Sequence, residues 1–315
     1  MSLERALELA ERGRGTTHPN PIVGCVLMRG DQVVGEAWHE QAGGPHAEAI
    51  ALRQAGERAR GATAYVTMEP CAHHGSTPPC ADALIDAGVA AVLVGARDPN
   101  PEATGGIGRL RAADVEVAVE TGEVAFACRA QNEAWRTWVS KRRPFVILKL
   151  AVTLDGHVTV GDSRWVSGEA SRRRVHELRA QVDAVAVGMG TVRVDDPQLT
   201  ARDVEVARQP RRLAFGRGPL PAGSELEPRT GALEDELRAL AEEGVQALLL
   251  EGGPTIASAF LRAGLVDKLL LFQAPTLGGR GPTFRTALET PLPLKRLRAD
   301  PVGEDVLLTA YVNEP

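Results

Sequence analysis

Two short segments of this chain have to meet in space, and that requirement limits its fold more than any other feature. One is Pro45-His46-Ala47-Glu48. The other begins Glu69-Pro70-Cys71 and ends Thr77-Pro78-Pro79-Cys80. Together they offer one imidazole and two thiols, with a carboxylate two residues beyond the histidine. Three protein ligands leave the fourth corner of a tetrahedral Zn2+ open, as catalytic rather than structural sites do. Water at an open corner has its pKa lowered to roughly 7. A carboxylate beside that water can carry protons. The set therefore suits hydrolytic removal of an amino group from a nitrogen heterocycle. The alternative is a closed structural zinc, with Cys25, Cys128, His73 or His74 as fourth ligand. The Glu-Pro before the first cysteine and the Pro-Pro before the second favour the catalytic reading.

Four cysteines could also make two disulfides. The opening residues Met1 to Arg5 read as the start of an amphipathic helix, not as a basic and then apolar leader. No apolar run approaches the ~18 residues that would suggest a membrane span. A cytoplasmic chain is expected, and its reduced cysteines point to metal binding or catalysis. The 315 residues suggest about two domains, at ~100–200 residues each. The net charge is −5, with no basic stripe to follow a polynucleotide, so no nucleic-acid partner is expected. Lysine is confined to Lys141, Lys149, Lys268 and Lys295, and Lys149 stands inside an apolar run.

Periodicity predicts a helix over Leu3–Arg12, then a rigid turn at Thr17-His18-Pro19-Asn20-Pro21. Ile22–Met28 and Gln32–Trp38 alternate around Arg29-Gly30-Asp31, a hairpin signal. A helix from Pro45 to about Arg58 follows, then a strand over Ala62–Met68, a helix from Pro79 to Ala87 and a strand over Val89–Gly95. Each metal segment thus feeds a helix N-terminus, where the dipole favours thiolates. His46 and Glu48 can share one site only if both lie in the first turn, because residues two apart otherwise face different ways. Helix Gly105–Ala113, strand Val115–Val119 and one long helix from Glu123 to about Ser140 complete the first half. Lys141-Arg142-Arg143-Pro144 reads as the boundary between domains 1–142 and 143–315. The second half alternates again: strand Phe145–Val152, helix Glu169–Gln181, strand Ala184–Val187, helix Leu233–Glu243, strand Val245–Leu250, helix Thr255–Arg262, strand Lys268–Gln273 and a final strand Asp305–Val312. Two α/β domains are expected.

The motifs resemble those of a known family, the bifunctional deaminase–reductases of riboflavin biosynthesis. In the first half the resemblance rests on His18-Pro-Asn-Pro-Ile-Val-Gly24, Gly35-x3-His39-x6-His46-Ala-Glu48 and Glu69-Pro-Cys71-x-His-His-Gly-x-Thr-Pro-Pro-Cys80. The long gap between the cysteines differs from the Pro-Cys-x-x-Cys of nucleoside and polynucleotide deaminases. In the second half it rests on Lys149-Leu-Ala-Val-Thr-Leu-Asp-Gly156, Ser163-Arg-Trp165, Gly188-Met-Gly-Thr191, Asp195-Asp-Pro-x-Leu-Thr-x-Arg202 and Glu251-Gly-Gly-Pro-Thr255.

The resemblance implies a cytidine-deaminase-like three-layer αβα domain followed by a dihydrofolate-reductase-like α/β domain. It implies two consecutive steps on a small phosphorylated pyrimidine. First, 2,5-diamino-6-ribosylamino-4(3H)-pyrimidinone 5′-phosphate loses its 2-amino group as ammonia. Then NADPH reduces the ribosyl side chain to ribityl. It assigns Zn2+ to His46, Cys71 and Cys80, with Glu48 as proton carrier, and puts Asn20 and His39 near the pocket. His73 and His74 would shape the loop. NADPH would lie around Ala151, Trp165, Thr191, Asp195 and the turn Gly253, Pro254, Thr255, Ile256, Ala257, Ser258, Ala259. Substrate would lie around Ser163, Arg179, Leu199, Arg202 and Glu251, and Lys149 would contact the sugar hydroxyls. A homo-oligomer, dimer or larger, is expected by the same analogy.

Two departures stand out. Gly156 to Trp165 is slightly short for the family, and Arg202 to Glu251 is much shorter. In the family the second stretch carries a strand, connecting elements and a helix that support the adenosine end of the cofactor. Here Pro210–Phe215 keeps a strand, and Gly216–Gly231 runs straight toward the Leu233 helix. A monofunctional deaminase with a binding-only second half is the alternative reading.

Overall fold

The computed structural model describes residues 2–73, 78–161, 163, 165–284 and 288–315. His74 lies outside them. The chain divides into two compact units, Met1–Lys141 with Pro315, and Arg142–Glu314. Among the described residues no helix is long and apolar enough to cross a membrane.

The first unit opens with helix α1 (Ser2–Glu11) and the hairpin β1 (Gly24–Arg29) and β2 (Gln32–Trp38). Then come α2 (Ala47–Ala55), β3 (Thr63–Val66), α3 (Cys80–Asp86) and β4 (Ala91–Val94). The unit closes with α4 (Gly106–Ala112), β5 (Glu116–Val119), α5 (Gly122–Gln131) and α6 (Glu133–Lys141). The sheet order is β2-β1-β3-β4-β5. β1 is antiparallel to both its neighbours, and β3, β4 and β5 are parallel. Alternation along the strands splits their side chains between two faces. Cys25, Leu27, Ala64, Val66, Val92 and Val94 pack with Ala51, Leu84, Ile107 and Leu110 from α2, α3 and α4. Val26 and Ala96 pack instead with Leu3, Ala6, Leu9 and Cys128 from α1 and α5. The result is a three-layer α/β/α domain. Each fully buried leucine contributes roughly 1.5–3 kcal/mol to it.

Two expectations need correction here. The helix anticipated to Arg58 stops at Ala55, and Gly56–Ala59 tighten into a 3-10 turn. The single helix anticipated over Glu123–Ser140 is two, α5 and α6, broken at Asn132. The cause is a buried side chain. Asn132 Nδ2 donates to the Ile22 carbonyl at 2.8 Å, and its Oδ1 accepts from the Ile22 amide at 2.9 Å. An asparagine that satisfies a distant backbone in this way competes with helix continuity.

The second unit begins with β6 (Phe145–Thr153), α7 (Glu169–Gln181), β7 (Ala184–Gly188) and α8 (Met189–Asp195). It continues through β8 (Arg211–Phe215), β9 (Glu227–Arg229), α9 (Leu233–Glu242), β10 (Ala247–Leu250) and α10 (Pro254–Arg262). It ends with β11 (Lys268–Ala274), β12 (Lys295–Val302) and β13 (Asp305–Tyr311). The order is β12-β13-β11-β6-β10-β7-β8-β9. The run from β11 to β9 is parallel, and β13 and β12 add an antiparallel edge. Val146, Leu148, Leu150, Leu248 and Leu250 bury one face against Leu237, Leu240, Ala257 and Phe260 of α9 and α10.

Three elements were not expected from periodicity. α8 begins Met-Gly-Thr-Val, a poor helix-former. β12 is a charged edge strand that contains Pro301, which an edge tolerates. β9 is only Glu-Pro-Arg, inside the stretch read as running straight to α9. Ion pairs rather than apolar alternation hold it: Arg211–Glu227 at 2.5 Å and Arg229–Glu243 at 2.8 Å.

The connections fix where a ligand crevice can open. β6 and β10 are adjacent and parallel, in register at Leu148 and Leu250. β10 leads into α10, which packs on the face carrying Leu148. β6 leads into α7, whose Arg179 reaches Glu251, one register step beyond Leu250 and therefore beside Lys149 on the opposite face. Neighbouring strands whose connections leave to opposite faces form a topological switch point, where open α/β sheets bind ligands.

Candidate active site

In the first unit the two ligand segments sit at helix starts. His46 is the residue before α2, with extended backbone (φ −71°, ψ 160°), and Glu48 lies in the first turn. Cys80 is the first residue of α3. His46 Nδ1 is 3.2 Å from Cys80 Sγ and 3.6 Å from Cys71 Sγ, and the three donor atoms lie within 4.8 Å of one another. Zinc bonds of ~2.3 Å to sulfur and ~2.0–2.1 Å to nitrogen at tetrahedral angles would separate N and S by about 3.6 Å. The residues present fit that ion. The Cys80 amide donates to Cys71 Sγ at 3.3 Å. Cys71 is held as a thiolate, first by the hydrogen bond from the Cys80 thiol and then by His46. Glu48 is buried, 3% exposed, and burial pushes its carboxyl up. The charges of His46 and Cys71 and a hydrogen bond with Cys80 act on it in turn.

A buried carboxylate frames the Cys71 loop. Glu69 Oε1 accepts from the amides of Gly105 (3.1 Å) and Ile107 (3.2 Å), and Oε2 accepts from Asp98 (3.2 Å). These bonds tie the loop after β4 and the start of α4 to Glu69-Pro70-Cys71. α4 comes so close that any Cβ at Gly106 would collide with the Pro70 carbonyl oxygen. His39 is also buried, its ring edge-on to His46 at 5.4 Å between centroids. Its Nδ1 stands 3.1 Å from the Pro45 carbonyl, which can only accept, so Nδ1 carries the proton. Nε2 is then a bare acceptor with no partner among the described residues. Asn20 is exposed in its turn, where its amide donates to Thr17 O at 2.7 Å. His73 is exposed.

In the second unit the switch point holds a buried charge cluster. Glu251 accepts from Arg179 Nε at 2.5 Å and Nη2 at 3.0 Å. Lys149 Nζ is 3.9 Å from Glu251 Oε2 and 5.9 Å from the Phe272 ring centroid. Burial lowers the Lys149 pKa, and Glu251 opposes that. Burial raises that of Glu251, but Arg179 and Lys149 outweigh it and hold the carboxyl low. Arg179 Nη1 also donates to Thr200 O at 3.0 Å, and His176 Nδ1 lies 3.2 Å from the same carbonyl.

These two sites sit on a chain with clear relatives. Residues 2–96 match the cytidine and deoxycytidylate deaminase zinc-binding region, and residues 144–221 and 224–308 match the RibD C-terminal domain. The riboflavin biosynthesis protein RibD of Aquifex aeolicus is 38% identical, covering 97% of this chain and 96% of the relative. The chain belongs to the RibD family.

RibD of Acinetobacter baumannii superposes with a TM-score of 0.84 at 37% identity, over 98% of this chain and 97% of that one. A diaminohydroxyphosphoribosylaminopyrimidine deaminase/5-amino-6-(5-phosphoribosylamino)uracil reductase from Thermotoga maritima superposes at 0.83 with 34% identity, over 98% and 97%. Both halves of the RibD pattern are present, which disfavours the monofunctional alternative. The Aquifex alignment runs over 344 positions against 315 residues here. The alignment takes in 97% of this chain, about 306 residues, so about 38 RibD positions, 344 less 306, have no counterpart here.

Of the residues singled out for the RibD reductase, Lys149, Arg179 and Glu251 converge, with Leu199 buried beside Thr200 in left-handed backbone (φ 53°). Arg202 is exposed but close enough to His176 to affect its charge. Ala151 lies two residues along β6 from Lys149, paired with Phe272. Thr191 in α8 stands near Gly253, the residue before α10. Ile256 packs toward Gly188 and Gly252, and Ala257 is core, so this turn presents main chain rather than side chains. Asp195 is exposed at the end of α8. Ser163 Oγ donates to Trp165 O at 2.8 Å, and Trp165 is half exposed under the Arg172 guanidinium. Sequence reasoning assigned no role to Glu69, although it did single out the Glu-Pro before Cys71.

Proposed function

We propose that residues 1–142 form a zinc-dependent deaminase domain and 143–315 an NADPH-dependent reductase domain, acting in turn on the riboflavin precursor 2,5-diamino-6-ribosylamino-4(3H)-pyrimidinone 5′-phosphate. The observation that carries this reading is the convergence of His46, Cys71 and Cys80 beside a buried Glu48. His46, Cys71 and Cys80 hold the zinc, which supplies the Lewis acidity that makes water nucleophilic near neutral pH. Glu48 accepts the proton of the attacking water on its carboxylate and passes a proton to the departing 2-amino nitrogen. Such shuttling contributes roughly 10²–10⁴-fold. The His39 Nε2 acceptor has no donor among the described residues, and it suits a substrate N–H or O–H. In the second half NADPH supplies the hydride. Lys149 and Arg179 flank Glu251 in the crevice, where a sugar hydroxyl and a phosphate find donors together. Asn20 belongs to the deaminase pocket of the first half, and Ser163, Leu199 and Arg202 belong to the substrate side of this crevice. Ala151, Trp165, Thr191, Asp195 and the main chain of 253–259 belong to the cofactor side, where the N-terminus of α10 favours phosphate.

We further place the enzyme in the cytoplasm as a homo-oligomer without a nucleic-acid partner. Four unpaired cysteines and a net charge of −5 support the location and the absence of nucleic acid, and the family resemblance supports the assembly. The test is Glu48→Gln assayed for ammonia release, with zinc content measured beside it. A loss of at least about 100-fold with zinc retained, and NADPH oxidation on the deaminated intermediate unchanged, is expected. Undiminished ammonia release would refute the assignment.

A further inference from the structure

Two arginines at the outer part of the second sheet have a setting unlike their neighbours. Arg211, Arg212 and Arg229 are all in ion pairs, with Glu227, Glu225 and Glu243. Arg193 on α8 and Arg217 after β8 are exposed, and among the described residues neither has a carboxylate in ion-pair contact. Asp195 and Asp196, next along the chain from Arg193, pair with neither. The two arginines are nevertheless held together. Arg193 Nη2 donates to the Arg217 carbonyl at 2.8 Å. Arg217 is bracketed by Gly216 and Gly218, both at φ 123°. A Cβ at Gly218 would collide with Arg193 Nη2, so the glycine makes the seat for that guanidinium.

Their position relative to the crevice gives the pair a purpose. α8 follows β7, which lies between β10 and β8 in the sheet. On one side Thr191 stands near Gly253 at the start of α10, the phosphate-favouring end. On the other side Arg193 meets the β8 loop. Adjacent strands are ~4.8 Å apart, so the ends of β10 and β8 are separated by about 10 Å. An adenosine ribose joined to a pyrophosphate at Gly253 can bridge that gap along the C-terminal edge of the sheet.

We propose that Arg193 and Arg217 bind the 2′-phosphate of the dinucleotide and so set the preference of this reductase for NADPH over NADH. The inference rests on reading the second unit as a dinucleotide-dependent reductase, and names how that site recognises its cofactor. Guanidinium groups without carboxylate partners offer charge-assisted, often bidentate bonds to a phosphate. NADH has only a hydroxyl there. The Gly-Arg-Gly turn lies inside the shortened Arg202–Glu251 segment, so the chain keeps a phosphate anchor within few residues.

The experiment is equilibrium titration of the full-length protein with NADPH and with NADH, followed by fluorescence or calorimetry. Arg217→Ala and Arg193→Ala should each raise the Kd for NADPH about tenfold or more, the loss of one charge-assisted bond. The Kd for NADH should stay within about twofold. Arg217→Lys should recover part of the loss, and Gly218→Ala, which unseats Arg193, should mimic Arg193→Ala. Equal weakening of both cofactors, or of neither, overturns the proposal. So does a wild-type protein that binds NADH as tightly as NADPH, although the reductase reading then survives. A wild-type protein that binds neither dinucleotide refutes that reading and the proposal with it.

Discussion

Replacing Glu69 by glutamine is a demanding test of how the zinc loop is built. The carboxylate accepts three main-chain amides, two on Oε1 and one on Oε2. A glutamine can put its carbonyl oxygen where Oε1 was and keep Gly105 and Ile107. Its NH2 must then face the Asp98 N–H, donor against donor. The flipped amide is worse, because it keeps Asp98 and opposes two amides. At least one bond to a charged acceptor is lost, worth ~1.5–3 kcal/mol, and a part-buried donor is left unsatisfied. The net cost should be about 2–4 kcal/mol. At roughly 3 °C per kcal/mol for a unit of this size, the melting temperature of the deaminase half should fall by about 6–12 °C. Glu69→Ala removes all three bonds and should reach about 5 kcal/mol, near the limit for single substitutions. Because Pro70-Cys71 follows directly, zinc should also escape faster to a competing chelator. The assay is a thermal scan of the zinc-loaded protein, with the deaminase transition recognised by its shift on chelation, and a parallel measurement of zinc loss. If Glu69→Gln melts within about 1 °C of the wild type and keeps its zinc as long, the carboxylate does not organise the loop and the reasoning fails.

Three further outcomes are expected. The folded-state pKa of Glu251 lies below its unfolded value, so its stabilisation is present above about pH 4.5 and is lost as pH falls through the lower folded value. Arg179→Met leaves burial opposed only by Lys149 and His176, which should raise that carboxyl, so the loss of stability relative to wild type should be larger at pH 7 than at pH 4. Denaturation at the two pH values checks this, and an equal deficit at both would count against the pairing. Stripping the metal with a strong chelator should end ammonia release while NADPH oxidation on the deaminated intermediate continues. In the stripped protein the half-exposed Cys71 should react with a thiol reagent well before the buried Cys25 and Cys128.

The grouping of His46, Cys71 and Cys80 into a candidate metal site was legible in the sequence because its signals are local. Pro45 and Pro79 mark helix starts, and helix starts are where His46, Glu48 and Cys80 stand. The alternation of strands and helices in the second unit was legible from periodicity, but the order of its strands in the sheet was not. What escaped was set by distant partners. The break at Asn132 depends on the backbone of Ile22, 110 residues away. β9 depends on Arg211 and Glu243 rather than on its own three residues. Glu69 reads locally as half of a Glu-Pro pair, but its role comes from amides at 98, 105 and 107. Lys149 looked like a charge stranded in an apolar strand, and only the register of β10 brings Glu251 beside it.

The shortened Arg202–Glu251 segment reads differently once the sheet order is known. The crevice lies between the ends of β6 and β10, and its charged residues are Lys149, Arg179 and Glu251, none of which lies between the two ends of that segment. The segment contributes β8, β9, α9 and β10, with β8 and β9 at the far edge of the sheet and β10 inside it. The parallel run β11-β6-β10-β7 and its switch point are intact. The ion pairs of Arg211 and Arg229 with Glu227, Glu236 and Glu243 close the β8–β9 edge with charge. On the reading proposed above, the short segment bears on how the outer end of the dinucleotide is held, where Arg193 and Arg217 stand, and not on whether hydride can reach the sugar.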